Sequence, residues 1–206
     1  FMITTPFARS EVRKMENGFV FHQDGTPDEP WQEGDFAVFT DAPGAVVDCA
    51  WFRGGWWDPL TMAWNHAQDG DLVSNEPKEG SLGASIYVPV ELASGESRTV
   101  NVLVAWYVPD SKHHIGKDAV DDNDRGDHYD AAAYKDMPPR YKPWYSTRFA
   151  GVSEVASYWL DNYKSLREKT KSFTDAFYDS SLPAEVQEAV AANLTILKST
   201  TVMRQH

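Results

Sequence analysis

Cysteine, basic residues and long apolar runs are all scarce in this sequence. Cys49 has no partner for an internal disulfide, and its place in the apolar run 45–52 predicts a small core residue rather than a nucleophile. Lys and Arg total 19 against 31 Asp and Glu, and the formal net charge of -12 repels phosphate backbones and anionic lipid surfaces. The apolar runs are far shorter than the roughly 20 residues of a spanning helix. We therefore expect no nucleic acid partner and no transmembrane segment.

Aromatic residues, in contrast, are abundant, with 8 Trp, 9 Tyr and 10 Phe. Sugar rings have apolar faces edged by hydroxyl groups, so carbohydrate sites combine aromatic side chains with carboxylates and amides. Large aromatic side chains also fill the space between two packed sheets. The composition permits a carbohydrate site, but taken alone it favours the core interpretation.

The first half of the chain, to about Val108, has the apolar and polar alternation of β-strands, interrupted by Gly, Pro and Asp. An antiparallel, mainly β domain is therefore predicted for this half. Its first strands are predicted at residues 18–21, 35–40 and 45–52.

A β-hairpin is predicted from residues 84–92 and 98–108, joined by a turn at 94–97. The second of these strands is apolar on both faces, which indicates a central position in its sheet. Pro89 cannot donate a backbone hydrogen bond, so the first strand is expected at an edge or with a bulge.

Helical periodicity replaces the β pattern after Thr147. Apolar residues recur from Val155 to Phe177 opposite charged residues, which predicts one long amphipathic helix. Residues 180–183 then supply a capping region with Pro183 in an allowed early position. A second helix is predicted from Val186, Val190, Leu194 and Leu197.

Segment 51–65 is the densest aromatic cluster of the sequence. It follows a predicted strand and contains a glycine pair that lets the backbone bend sharply, so we expect a loop. If they are exposed, Trp56 and Trp57 would stack on sugar rings while Asp58 bonds to hydroxyl groups. If they are buried, they would close one end of the β domain or pack on a neighbouring domain. The other polar side chains suited to hydroxyl groups are Arg53 and Asn65.

The acidic segment 113–130 partly matches a calcium-binding loop at Asp121, Asn123 and Gly126. The match fails further on, because Arg125 stands where an oxygen ligand belongs and Ala132 where a bidentate Glu should close the loop. We expect a solvated acidic loop without a metal, and no cofactor motif occurs elsewhere. A general acid/base pair within 118–130 is equally disfavoured, since carboxylates in one loop seldom keep a fixed separation.

Four segments together resemble the family-116 glycoside hydrolases, which include non-lysosomal glucosylceramidase and bacterial β-glucosidases. The first contains the string Phe-Arg-Gly-Gly-Trp-Trp-Asp, and the second contains a Ser-Gly-Glu turn and ends in Ala-Trp-Tyr-Val-Pro. The segments follow one another in the right order and are residues 51–64, 83–109, 144–149 and 182–197.

The resemblance implies an N-terminal antiparallel β-sandwich, a helical linker and an (α/α)6 barrel that performs retaining hydrolysis of β-glucosides with two carboxylates. It places the sandwich at residues 1–147, and the linker with the first helices of a truncated barrel at 148–206. The catalytic carboxylates are expected beyond His206, so no catalytic residue is assigned here. Loops of the sandwich are expected to border the cleft, which makes Trp56, Trp57 and Asp58 the candidate substrate-binding residues.

Three interpretations remain open at this point. In the first, the chain is a fragment of a hydrolase whose partners are a carbohydrate substrate and the rest of its own catalytic domain. In the second, the sandwich is a non-catalytic carbohydrate-binding or scaffolding module. A large exposed apolar face on the C-terminal helices would favour the first, because a self-contained module would bury it. The weakest is an independent hydrolase that uses residues 118–130.

Overall fold

Two antiparallel β-sheets and three α-helices form the described part of the chain, residues 1–5, 10–51, 58–111 and 142–194 of a computed structural model. The prediction of a mainly β sandwich is confirmed. Two short 3-10 helices lie at Pro30–Gln32 and Trp144–Thr147. The remaining elements are β1 (Met2–Thr4), β2 (Glu11–Met15), β3 (Gly18–Gln23), β4 (Gly34–Thr40), β5 (Val46–Asp48), α1 (Pro59–Asp69), β6 (Gly83–Tyr87), β7 (Val102–Tyr107), α2 (Val152–Tyr178) and α3 (Ala184–Leu194).

The larger sheet has the strand order β2-β3-β4-β7. Its two inner strands confirm the predictions at residues 18–21 and 35–40. In the β3–β4 register Phe19 lies opposite Val38 and Phe21 opposite Phe36. Successive side chains of a strand point to opposite faces, and nearly all of β3 is buried. The inner strands of this sheet are therefore covered on both faces.

The smaller sheet has the order β1-β6-β5. Of the predicted strand 45–52, whose residue 52 lies outside the described residues, the structure has only Val46–Asp48 in β5. Val47 and Ile86 are paired and face the larger sheet, where they join the first hydrophobic core. Cys49 is fully buried in the same core, which confirms the predicted core thiol. The other buried members of this core are Val12, Phe19, Phe21, Val38 and Ala84.

A second core covers the opposite face of the larger sheet. Val152 and Ala156, in the first turns of α2, pack there against residues of β3, β4 and β7. Tyr107 of β7 donates its hydroxyl hydrogen to the carbonyl oxygen of Phe149 at 2.7 Å, and Tyr145 bonds to the backbone of Val108. The start of α2 is thus fixed to the sheet by apolar packing and by two tyrosine hydroxyls.

The predicted hairpin of residues 84–92 and 98–108 is wrong. β6 pairs with β1 and β5, whereas β7 pairs with β4 of the other sheet. β6 already ends at Tyr87, two residues before Pro89, so the two apolar strands do not extend far enough to pair across the turn. The turn itself exists, because the N–H of Glu96 bonds to the carbonyl of Ala93 at 3.0 Å, but it lies within a connection between the sheets.

The expected central position of β7 is also wrong, since β7 is an edge strand within the described residues. Its two apolar faces have different environments. Leu103, Ala105 and Tyr107 are buried under α2, as the pattern of alternating burial requires. The opposite side chains, Val104 and Trp106, remain 56% and 61% exposed because the smaller sheet does not extend over β7.

The predicted helices after Thr147 are confirmed as α2 and, as far as Leu194, as α3; Leu197, the last residue of the second predicted helix, lies outside the described residues. No helix among the described residues combines the length and the apolar character needed to cross a membrane.

Substitution of Gly83 by Ala is expected to destabilise the fold strongly. A Cβ atom at Gly83 would lie 2.6 Å from the carbonyl oxygen of Ile3 and 2.7 Å from the Trp51 ring. Relieving this overlap requires movement of a strand or of a buried indole, at a cost of about 2 kcal/mol or more. Gly151→Ala is the matched control, since nothing lies within 4 Å of a Cβ there. Urea unfolding of both variants measures the difference; similar losses of stability would contradict the steric explanation.

His22→Gln is expected to reduce the free energy of unfolding more at about pH 6 than at about pH 9. Burial opposes the charge on His22, but hydrogen bonds to Asp24 (2.9 Å) and Asp35 (2.6 Å) outweigh it, so the pKa of His22 is raised. A histidine whose pKa is raised in the folded state contributes fully to stability below its unfolded-state pKa of about 6.5. This contribution to the free energy of unfolding is lost as the pH rises through the folded-state pKa. Denaturant unfolding of both proteins at the two pH values tests this, and a pH-independent difference would contradict it.

Candidate functional site

Helix α1 begins inside the aromatic segment that was predicted to be a loop. Asp58 is its N-cap: one carboxylate oxygen accepts the N–H of Thr61 at 2.8 Å and the other accepts the Thr61 hydroxyl at 2.7 Å. These two bonds, the backbone bond first, lower the pKa of Asp58. The loop prediction is therefore wrong for residues 59–65, where Pro59 at the first position and the Asp58 cap favour a helix.

The three predicted substrate-binding residues have different outcomes. Trp56 and Trp57, together with Arg53, lie outside the described residues. Asp58 is exposed and holds the start of α1. A substrate-binding role for Trp56, Trp57 and Asp58 stays a prediction. The acidic segment 113–130 also lies outside the described residues, and no cluster of metal-ligating side chains occurs in the parts of the chain that are described.

Beneath α1, the outer face of the smaller sheet has polar side chains. The β5–β6 register places Asp48 opposite Ser85 and Val46 opposite Tyr87. The indole Nε1 of Trp51 donates to the Ser85 hydroxyl at 2.8 Å. This hydrogen bond and the contact with Gly83 fix the Trp51 ring against the sheet.

The segment that follows α1 returns to β5 and holds Asp48 in place. The N–H of Cys49 donates to the carbonyl of Asn75 at 3.0 Å, so the two segments are bonded through their backbones. The Asn75 amide donates to Oδ1 of Asp48 at 3.0 Å, and the N–H of Ala50 donates to the same oxygen at 3.1 Å. The second oxygen, Oδ2, accepts no hydrogen bond from any described residue.

These elements enclose a cavity of about 580 Å³ between α1 and the smaller sheet, which we call the α1 cavity. Its floor is buried and includes Asp48, only 2% exposed, beside Trp51 and Ala63. Lys78 and Glu79 are exposed at its rim. The cavity therefore combines a fixed carboxylate, an indole ring and aliphatic side chains. The remaining lining residues are Ala50, Met62, His66, Val73, Asn75 and Ser81.

Sequence reasoning missed the α1 cavity, although one of its residues gave a signal. Asp48 interrupts the otherwise apolar run 45–52, and a carboxylate at such a position is buried only with hydrogen-bond partners. Asn75 and His66 gave no comparable signal, because their roles depend on how α1 folds back over the sheet.

A second feature with functional implications is the exposed apolar surface of α2 and α3. Only the first turns of α2 contact the larger sheet, through Val152, Val155, Ala156 and Trp159. Further along α2, Phe173 is 59% exposed. On α3 the apolar residues line a shallow groove whose described lining residues all belong to α3. The exposed or half-exposed apolar residues of this surface are Phe173, Phe177, Tyr178, Leu182, Val186, Val190 and Leu194.

Comparison with known proteins identifies a family. Residues 5–166 match the family model described as beta-glucosidase 2, glycosyl-hydrolase family 116 N-term. The matched range covers more than half of the chain and extends from the sandwich through the first half of α2. No curated protein and no solved structure shows a significant match.

Cys49 is expected to resist alkylation by iodoacetamide at about pH 8 in the folded chain and to react completely after denaturation. Burial raises the pKa of the Cys49 thiol to about 11, so the thiolate is scarce at that pH, and the buried sulfur is also inaccessible. Because the sequence contains a single cysteine, the intact mass reports this site alone. Rapid labelling of the folded chain would contradict the buried position.

Proposed function

Because the chain belongs to the glycosyl-hydrolase family 116 N-terminal domain family, we propose that it is part of a retaining O-glycosidase that acts on β-glucoside-type substrates. In this proposal residues 1–147 form the sandwich domain, and residues 148–206 form the helical linker and the start of an (α/α)6 catalytic barrel. The sandwich supports the barrel and borders its cleft, and the partners are a carbohydrate substrate and the rest of the catalytic domain.

The exposed apolar surface of α2 and α3 is the observation that carries this proposal. Burial of apolar surface contributes roughly 25 cal/mol per Å², so a helix surface of this kind is stabilised by a partner. Val186 and Val190 are one turn apart on α3 and are both more than 40% exposed, as expected for a helix that packs against further helices.

The catalytic carboxylates are proposed to lie beyond His206. Retention requires two carboxyl groups about 5 to 5.5 Å apart on rigid elements at either side of a cleft. Within the proposed enzyme, Trp56, Trp57 and Asp58 border the substrate. Asp58 sits at the beginning of α1, where a rigid helix fixes its position, although both of its oxygens already accept bonds from Thr61.

A second candidate function is a non-catalytic carbohydrate-binding or scaffolding module. The α1 cavity favours it, because a buried carboxylate beside an indole is suited to a sugar ring. The apolar surface of α3 argues against a self-contained module, which would bury its own apolar helix faces.

The proposal predicts that the full-length gene product hydrolyses a chromogenic β-glucoside and that the 206-residue chain does not. NMR of the first product should show the β-anomer, as retention requires. Val190→Asp should lower the stability of the full-length protein by roughly 2 kcal/mol or more, since it places a charge in the proposed interface. In the 206-residue chain the same change should have little effect, because Val190 is exposed there.

Glu188→Gln is the matched control on α3, since Glu188 is exposed and lies outside the apolar groove. It should leave both proteins unchanged. Hydrolysis by the 206-residue chain alone would contradict the proposal, and so would equal tolerance of Val190→Asp in both proteins.

A further inference from the structure

The carboxylate of Asp48 lies at the floor of the α1 cavity. Two hydrogen bonds hold its Oδ1 atom, whereas its Oδ2 atom accepts no hydrogen bond from the described residues. The geometry points to a binding site for one uncharged saccharide unit, with Asp48 as the hydrogen-bond acceptor and Trp51 as the aromatic wall. The proposed function supplies the ligand class on which this inference rests. The assignment of these two residues comes from the cavity itself.

The carboxylate of Asp48 is positioned in advance. Its Oδ1 accepts hydrogen bonds from Ala50 N–H and the Asn75 amide, so the direction of Oδ2 is set before any ligand arrives. A sugar hydroxyl that donates to Oδ2 forms a charge-assisted hydrogen bond, which is stronger than a neutral one. A ligand that offers such a hydroxyl would complete the coordination of a carboxylate that is only 2% exposed.

The wall of the cavity suits the apolar face of a sugar ring. Trp51 is held by its bond to Ser85 at 2.8 Å and by close contact with Gly83, so no side-chain rotation has to be arrested on binding. Met62, Ala63 and Val73 extend the apolar lining. The volume of about 580 Å³ lies within the range of about 300 to 1,000 Å³ that is usual for small-molecule sites.

The charges around the cavity select against an anionic ligand. Asp48 is negative at the floor, and the rim residues Lys78 and Glu79 have opposite signs. A phosphorylated or acidic sugar would be repelled by Asp48 without a compensating cluster of cations. His66 is half-buried at the side of α1, and its ring nitrogens offer a hydrogen-bond partner for a further hydroxyl group.

Titration of the 206-residue chain with methyl β-glucoside and with cellobiose tests the inference, by calorimetry and by saturation-transfer NMR. We expect saturable binding that Asp48→Asn weakens about tenfold or more, the effect of losing a hydrogen bond to a charged group. In this variant the side-chain oxygen of Asn keeps both existing bonds, while an N–H group replaces the acceptor Oδ2. Asp161→Asn is the control, since it removes the same charge from an exposed position on α2.

Val73→Phe provides an independent variant, because it fills the cavity without altering the bonds to Asp48, and it should abolish binding. Absence of saturable binding by the unmodified chain would overturn the inference, as would binding that Asp48→Asn and Val73→Phe leave unchanged. Binding by this chain combined with an inactive full-length product would contradict the proposed hydrolase and leave the saccharide site intact. Hydrolysis by the full-length product, combined with no saccharide binding by the 206-residue chain, would support the proposed hydrolase and overturn the saccharide site.

Discussion

Burial of the inner strands of the larger sheet on both faces is the constraint on which the rest of the structure depends. Along β3 the side chains alternate between two cores: Phe19 and Phe21 face the smaller sheet, and Val20 faces α2. A single six-residue strand therefore connects the sandwich interior to the helical layer. Because both layers pack on the same strand, the sandwich fixes the position of the first turns of α2. The tyrosine hydroxyls at Val108 and Phe149 add directional bonds to this packing.

The smaller sheet packs in the first core through one face only, and its outer face has polar side chains. Its inner face needs only short strands to close the first core, which leaves the outer side chains of β5 and β6 free to be polar. A polar face under a helix must satisfy its hydrogen bonds internally. Ser85 meets the indole of Trp51, and one oxygen of Asp48 meets Asn75 and Ala50. The incomplete pairing of Asp48 is what distinguishes a candidate site from an ordinary helix-on-sheet contact.

The sequence alone predicted the elements whose apolar periodicity is local and uninterrupted, namely β3, β4, α2 and α3. It failed where long-range pairing decides the structure. The strands β6 and β7 have the pattern of a hairpin, but each finds its partners elsewhere in the chain, and local pattern carries no information about this choice. Helix α1 was not predicted, because the aromatic residues and the glycine pair of this segment suggested a loop, although Asp58 and Pro59 are good helix-start signals. The α1 cavity depends on Asn75 returning to β5, a tertiary contact without a sequence motif.

Among the described residues, α2 contacts the larger sheet at one end only, and this has a mechanical consequence. A helix of 27 residues is about 40 Å long, and its apolar contacts with the sheet all lie between Val152 and Trp159. A rotation of α2 about its contact with the larger sheet therefore moves the far end of the helix most. A tilt of about 10° at Trp159 displaces Tyr178, about 28 Å further along the helix, by about 5 Å, close to one helical turn. Small changes in the packing of Val152 and Ala156 therefore produce larger displacements at Tyr178. The second core thus determines the direction in which α2 projects from the sheet.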